Sequence, residues 1–199
     1  MSDIRTFHQR SLTVAQTVVD QVDPGQLDLP TPCSEWTLGQ LLAHMTGQNH
    51  GFAASARGET EDLTIWHDRP VGKEPADVFA ASAADVITAF AEPGALDRTL
   101  WLPEIHPRFR FPAAQAIGFQ FIDTVVHAWD VAQAVGVAVD FDQDLLDAAL
   151  PVAELVPDGA NRLTPGAAFA PGLDSGPAGT TLDRILALLG RDPAWASAS

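Results

Sequence analysis

A long apolar segment between Pro112 and Gly136 constrains the fold of this chain more than any other feature. Proline suits the first position of a helix, and glycine suits the position just past its end. Four polar residues interrupt the segment at spacings of three, four and three, namely Gln120, Asp123, His127 and Asp130. At about 100° per residue these four fall on one stripe of a helix. The segment therefore predicts a helix over 112–135 with a single polar stripe.

Five further segments have the apolar spacing of helices, and turn signals rich in proline and glycine separate them. The predicted helices cover about 3–22, 37–57, 76–91, 142–156 and 181–189. Thr37 and Gln40 have the spacing of a capping box at the start of the second helix. The segments 99–101 and 108–111 are predicted to pair as a small hairpin. The whole pattern predicts one all-α domain over 1–199, a bundle of four long helices with short extra helices.

The charge balance narrows the classes of partner. The chain carries 11 Lys and Arg against 26 Asp and Glu, a net charge of -15, which argues against nucleic acid or an anionic membrane surface. No apolar run is long enough to cross a bilayer, and the N-terminus does not resemble a signal peptide. A single cysteine, Cys33, fits a reducing compartment. We therefore expect a cytoplasmic protein that binds neither nucleic acid nor a membrane surface.

Asp123 and His127 stand four residues apart, the spacing by which a helix offers two ligands to one metal ion. The alternative is a solvated face that carries an exposed Asp–His pair. His44 is the best candidate for a third ligand because it lies on the apolar side of the second helix, although it could instead be a hydrogen-bonded core histidine. Gly47 and Gly51 follow it on roughly the same face and leave room above its ring for another helix or a ligand. The spacing alone thus makes His44, Asp123 and His127 candidate ligands of one metal ion and leaves both alternatives open.

The remaining polar candidates have secondary roles. His50 points about 120° away from His44 on the same helix, and His8, His67 and His106 are interpreted as surface residues. Asp130 follows His127 by one turn and is predicted to accept a hydrogen bond from a ligand imidazole, unless it is a plain surface acid.

Together, the segments 31–37, 41–44 and 123–130 resemble the DinB-like superfamily. The resemblance is to the actinobacterial branch that includes the metal-binding domain of mycothiol-dependent maleylpyruvate isomerases, and it extends to the tail at 182–193. It implies a four-helix bundle with a divalent ion at one end, held by His44, Asp123 and His127, and a low-molecular-weight thiol such as mycothiol as co-substrate. Those isomerases have Glu at the position of Asp123. The shorter Asp would hold the ion closer to the fourth helix or more weakly.

Two imidazoles and one carboxylate suit Zn²⁺, with Ni²⁺ or Fe²⁺ as alternatives. Three protein ligands leave a coordination position open, where an ion favours the deprotonated form of water or a thiol. We therefore predict a metal-dependent thiol S-transferase or isomerase that acts on a small electrophile. Hydrolysis at the same site and a purely binding or stress-associated role are the alternatives.

Three arginines cluster around the predicted hairpin: Arg98, Arg108 and Arg110. They are candidates for binding a carboxylate of the substrate or of the thiol cofactor, with salt bridges to nearby acids as the alternative. Cys33 is interpreted as a packed structural cysteine. The oligomeric state stays open, with a homodimer through helix faces as one expectation.

Overall fold

The computed structural model describes residues 3–59, 61–164, 167–174 and 179–196. Within these ranges the secondary structure is predominantly helical, with two short strands. The helices are α1 (Ile4–Val19), α2 (Leu38–Ala56), α3 (Pro75–Ala91), α4 (Ala113–Val135), α5 (Gln143–Glu154) and α6 (Thr181–Leu188). The strands are β1 (Thr99–Trp101) and β2 (Arg110–Pro112), which pair antiparallel as the predicted hairpin.

The first four helices form a bundle. Helix α1 packs against α3 and α4, and α2 packs against the same two helices, while α5 covers α4 and α1 and carries α6 on its far side. The interior is filled by fully buried aromatic and aliphatic side chains such as Phe79, Phe121 and Leu41. The predicted all-α, DinB-like four-helix bundle is therefore confirmed.

Local capping signals fix the start of α2, the helix that carries His44. The backbone N–H of Gln40 donates to the Thr37 hydroxyl, and the N–H of Thr37 donates to the Gln40 side chain at 2.9 Å. The predicted capping box is confirmed. It satisfies backbone donors that would otherwise lack partners at the helix end.

All helix ends lie within three residues of the prediction, and two of the differences have a clear structural cause. Helix α1 ends at Val19 rather than at residue 22, because the amides of Gln21 and Val22 bond to carbonyls three residues back and the last turn tightens. Helix α4 begins one residue late, because Pro112 is the last residue of β2, where it pairs with Thr99. Proline lacks an N–H and is tolerated at the end of an edge strand.

The prediction that Gly47 and Gly51 leave room for another helix or a ligand needs correction. A short 3-10 turn at Leu63–Trp66 and the residues after it occupy this space. A Cβ on Gly47 would lie 2.6 Å from the carbonyl oxygen of His67, and one on Gly51 would enter the Trp66 ring. The two glycines therefore serve the close approach of a loop to α2.

No helix in the described part of the chain is long and apolar enough to cross a membrane.

Candidate metal centre

The three residues predicted as metal ligands lie together between α2 and α4. His44, Asp123 and His127 each offer a ligand atom, and these atoms lie within 4.8 Å of one another. The side chain of His127 is 1% exposed, whereas those of His44 and Asp123 are 16% and 25% exposed. The group is therefore closed to solvent on the His127 side and open on the other.

Neighbours on α4 fix the ring of His127. Its Nε2 lies 3.3 Å from Oδ1 of Asp123, one turn before it in the helix. Its Nδ1 lies 3.0 Å from Oδ2 of Asp130, which is fully buried. Since Asp130 occupies the Nδ1 side, Nε2 is the nitrogen available to the group. The predicted contact between Asp130 and a ligand imidazole is present.

His44 has a comparable arrangement on α2. Its Nδ1 lies 3.4 Å from Oδ1 of Asp68, an exposed residue in the loop after the 3-10 turn. The His44 and His127 ring centroids are 5.5 Å apart, with the rings nearly perpendicular. Each imidazole thus has a carboxylate near Nδ1, an arrangement that orients ligand histidines in metal sites.

The loop before α2 places Trp36 over both rings. The Thr31 hydroxyl donates to the Trp36 carbonyl at 3.0 Å, and the Trp36 N–H donates to the Cys33 carbonyl at 2.8 Å. The indole centroid lies 4.4 Å from that of His44 and 6.0 Å from that of His127. The half-buried Trp36 therefore contributes an aromatic surface to the open side of the group.

Charge within the group perturbs its pKa values strongly. Burial opposes protonation of His127, but Asp123 and Asp130 outweigh it and raise the pKa of the imidazole to about 9. Burial alone would raise the pKa of Asp123, yet the neighbouring His127 and His44 bring it below its usual value. In the absence of a cation the group therefore holds a carboxylate beside a protonated imidazole.

These donors fit a divalent cation. Two imidazole nitrogens and a carboxylate oxygen are ligands that Zn²⁺, Ni²⁺ and Fe²⁺ accept. The protonated His127 imidazole carries a positive charge at Nε2, next to the carboxylate of Asp123. A cation bound there would replace the proton on Nε2 and keep a positive charge beside that carboxylate.

A buried polar layer lies one helical turn below the group. Nε2 of Gln120 donates to Oδ1 of Asn49 at 2.9 Å, and Nδ2 of Asn49 donates to the Ser82 hydroxyl at 3.0 Å. The alternative of a solvated α4 face is therefore wrong, since Gln120, His127 and Asp130 are all buried. His8, interpreted from sequence as a surface residue, is also buried in this region, against Phe90 and near Gln120.

A cavity of about 10 Å³ separates this layer from Asp123. That is about the volume needed for one water molecule, so a larger molecule must approach from the opposite, open side. The lining residues are Leu12, Met45, Gln48, Asn49, Phe79, Gln120, Asp123 and Thr124.

Glu104 is a further acid near the group that sequence reasoning missed. Nε2 of Gln48, one turn after His44, donates to Oε2 of Glu104 at 2.9 Å. Burial raises the pKa of Glu104, and the nearby charges of His44 and Asp123 act on it in opposite directions. Glu104 lies in the loop between β1 and β2, so the hairpin places a carboxylate near the candidate centre, where the charges of His44 and Asp123 act on it. Its position in an irregular loop gave no sequence signal.

The structure does not bring Arg98 to the group. Its guanidinium donates to the carbonyl oxygen of Ala56 at 2.8 Å and to Glu92 at 2.9 Å. Ala56 is the last residue of α2, twelve residues and about 18 Å along the helix from His44. Arg108 and Arg110 are exposed on the hairpin, and their proposed contact with a ligand carboxylate stays a prediction.

Cys33 and Arg191 also lie close to the residues that α4 contributes to the site. Burial raises the pKa of Cys33 to about 11, with Arg191 acting in the opposite direction, so the thiol is protonated at neutral pH. Nε of Arg191 lies 3.0 Å from Oδ1 of Asp130. Arg191 was not predicted as a site residue, because it is 61 positions from Asp130 in the sequence.

Several known proteins are similar to this chain. The profile of the family described as mycothiol maleylpyruvate isomerase N-terminal domain matches residues 9–132. Two uncharacterized proteins of Mycobacterium tuberculosis, from two strains, are each 33% identical over 184 residues, which covers 92% of this chain and 95% of the relative.

Two solved structures share the fold. They are the mycothiol-dependent maleylpyruvate isomerase and a mutant of it with a histidine replaced by alanine, with TM-scores of 0.57 and 0.59 and identities of 15% and 14%. The similarity covers 75% of this chain and 66% of the isomerase chain. Because the profile matches well over half of its residues, the chain belongs to the mycothiol maleylpyruvate isomerase N-terminal domain family.

Proposed function

We propose that this protein is a metal-dependent enzyme that uses a low-molecular-weight thiol, of the mycothiol type, for S-transfer to or isomerisation of a small electrophile. The observation that carries the proposal is the convergence of His44, Asp123 and His127 between α2 and α4, with ligand atoms within 4.8 Å of one another. Membership of the family supports the thiol, because the solved relatives are mycothiol-dependent enzymes.

His44, Asp123 and His127 would hold the cation, with Zn²⁺ as the first choice. When bound, it supplies Lewis acidity that favours the thiolate form of a thiol at neutral pH. Trp36 offers an apolar surface for the substrate, and Glu104 offers a carboxylate that can accept the thiol proton. We retain Arg108 and Arg110 as proposed contacts for a carboxylate of the substrate or cofactor.

Metal content tests the site. Purified wild-type protein is expected to contain about one divalent cation per chain by elemental analysis, and H44A and H127A are expected to lose it. The matched control is H50A, which removes another half-buried histidine of α2 that pairs with Asp85 at 3.6 Å. Equal metal content in all four proteins would contradict the assignment.

Conjugation of mycothiol to a chlorinated nitroarene tests the activity. In that reaction a carbon–sulfur bond forms, the carbon–chlorine bond breaks, chloride leaves and the thiol proton passes to Glu104 or to solvent. Wild-type and H50A proteins are expected to catalyse it, whereas H44A and H127A are expected to be inactive. Bound metal without turnover of thiols or esters would instead favour the binding role.

A further inference from the structure

The carboxylate of Asp130 is held from two sides. It is fully buried, with His127 Nδ1 at 3.0 Å from Oδ2 and Arg191 Nε at 3.0 and 3.1 Å from its two oxygens. A buried carboxylate with one imidazole partner would be costly, and a guanidinium that contacts both oxygens compensates it and fixes its plane. Arg191 therefore determines how Asp130 faces His127.

The turn after helix α6 places Arg191 next to Asp130. Helix α6 ends in a Schellman motif, in which the Gly190 amide donates to the Ala187 carbonyl and the Arg191 amide donates to that of Leu186 at 2.8 Å. Gly190 has a φ of +71°, and a Cβ there would collide with the carbonyl of Ala170. This turn reverses the chain directly before the arginine.

The arginine is almost completely enclosed. Its side chain is 3% exposed, its Nη1 donates to the Leu189 carbonyl, and its Nη2 is buried with no hydrogen-bond partner. A buried guanidinium nitrogen without a hydrogen-bond partner is uncommon. The contact with Asp130 is thus kept although one guanidinium nitrogen is left unpaired.

We propose that Arg191 is a positioning residue for the candidate metal centre. It holds Asp130 so that Nδ1 of His127 donates to the carboxylate and Nε2 faces His44 and Asp123. Arg191 lies beyond residue 132, where the family profile ends. The inference rests on the proposed function, because it requires a cation at the three ligands.

Arg162 provides a matched control. Its side chain is also 3% exposed and lies in the same C-terminal part of the chain, but it donates to backbone carbonyls instead of to the site. Those carbonyls belong to Val156, Pro157, Ala170 and Leu188. R162M therefore removes a buried arginine that makes no contact with Asp130, although it also removes the hydrogen bonds to Ala170 and Leu188 beside the Gly190 turn.

The test measures Zn²⁺ affinity of the full chain by chelator competition, together with the visible spectrum of Co²⁺ bound in its place. R191M is expected to lower Zn²⁺ affinity by up to about 10-fold and to alter the Co²⁺ spectrum, because loss of the direct partner of a ligand histidine costs about 10- to 100-fold and Arg191 acts one contact further out, through Asp130. R191K keeps the charge but loses the contact of Nε with both oxygens, so its affinity is expected to fall between R191M and wild type. R162M is expected to lower Zn²⁺ affinity less than R191M does, because it leaves the contact between Arg191 and Asp130 in place.

A double variant keeps the test valid if R191M does not fold. D130N/R191M removes both charges together. It is expected to bind Zn²⁺ no more weakly than D130N alone, because Arg191 acts on the centre only through Asp130. Wild-type protein that binds no divalent cation would contradict the proposed function. Wild-type affinity and Co²⁺ spectrum in R191M and R191K, or a D130N/R191M protein that binds Zn²⁺ more weakly than D130N, would overturn the role of Arg191 alone.

Discussion

The imidazole of His127 lies between two carboxylates of its own helix, Asp123 at 3.3 Å and Asp130 at 3.0 Å. Its burial would by itself favour the neutral ring, but the two acids raise its pKa to about 9. A divalent cation bound as proposed would therefore compete with a proton for the same nitrogen, Nε2.

Zn²⁺ affinity is therefore expected to increase with pH. Between pH 7 and pH 9 each unit should raise the affinity about tenfold, because one proton is displaced from His127. Isothermal titration calorimetry in buffers of different ionisation enthalpy measures the affinity and the released proton together. H50Q serves as the control and should show the same slope, and an affinity that stays flat across this range would contradict the assignment of Nε2.

The cation-free protein is expected to show the opposite trend in stability. The pKa of His127 is higher in the folded state than the ordinary value of 6.5, so the folded state holds the proton more tightly. This contribution is complete below pH 6.5 and is lost as pH rises towards 9. Urea denaturation of the metal-free protein across this range measures it.

At the scale of one element, the packing of α2 against the loop that follows it depends on the glycines of the helix. The 3-10 turn at Leu63–Trp66 packs directly on the helix, and the backbone amide of Arg69 donates to the carbonyl of Ala43 at 2.9 Å. The loop that brings Asp68 to His44 can reach the helix only because Gly47 and Gly51 lack side chains. These glycines therefore shape the site indirectly.

The variants G51A and G118A are expected to change stability in opposite directions. A methyl group at Gly51 would enter the Trp66 ring and cost about 1–3 kcal/mol of unfolding free energy through overpacking. At Gly118 in α4 the nearest atom would be Val152 Cγ1 at 3.9 Å, so alanine should stabilise the helix by up to about 1 kcal/mol.

Urea denaturation at one fixed pH measures both changes. G118A is the control for replacing a helical glycine where space allows a methyl group. A G51A protein as stable as G118A would show that the loop does not lie against α2.

At the scale of the whole molecule, a buried polar layer includes one residue from each of the four bundle helices. His8 of α1, Asn49 of α2, Ser82 of α3 and Gln120 of α4 occupy this layer. Burial lowers the pKa of His8 to about 4, with Gln120 acting in the opposite direction. The ring therefore stays neutral in the folded protein at pH values where an unfolded histidine is protonated.

The bundle is expected to lose stability in mild acid through His8. Between pH 6.5 and pH 4, His8 binds a proton in the unfolded state but not in the folded state. The free energy of unfolding therefore falls as pH falls. The variant H8Q cannot be protonated and should lose less stability over this interval, although it can be less stable at pH 7. Identical pH dependence of wild type and H8Q in urea denaturation would contradict the neutral, buried state of His8.

Local patterns in the sequence determined the helices and half of the candidate centre. Capping residues and helical spacing predicted α2 and α4, and the spacing of Asp123, His127 and Asp130 placed them on one stripe, because helix geometry depends on neighbours along the chain. The tertiary structure alone decided which groups face that stripe. Trp36, Glu104 and Arg191 reach it from loops and from the C-terminal turn, and no periodicity relates them to α4. Burial of the stripe follows from packing between helices that are distant in sequence and by itself opposes protonation of His127, whereas the two carboxylates that raise its pKa lie on its own helix.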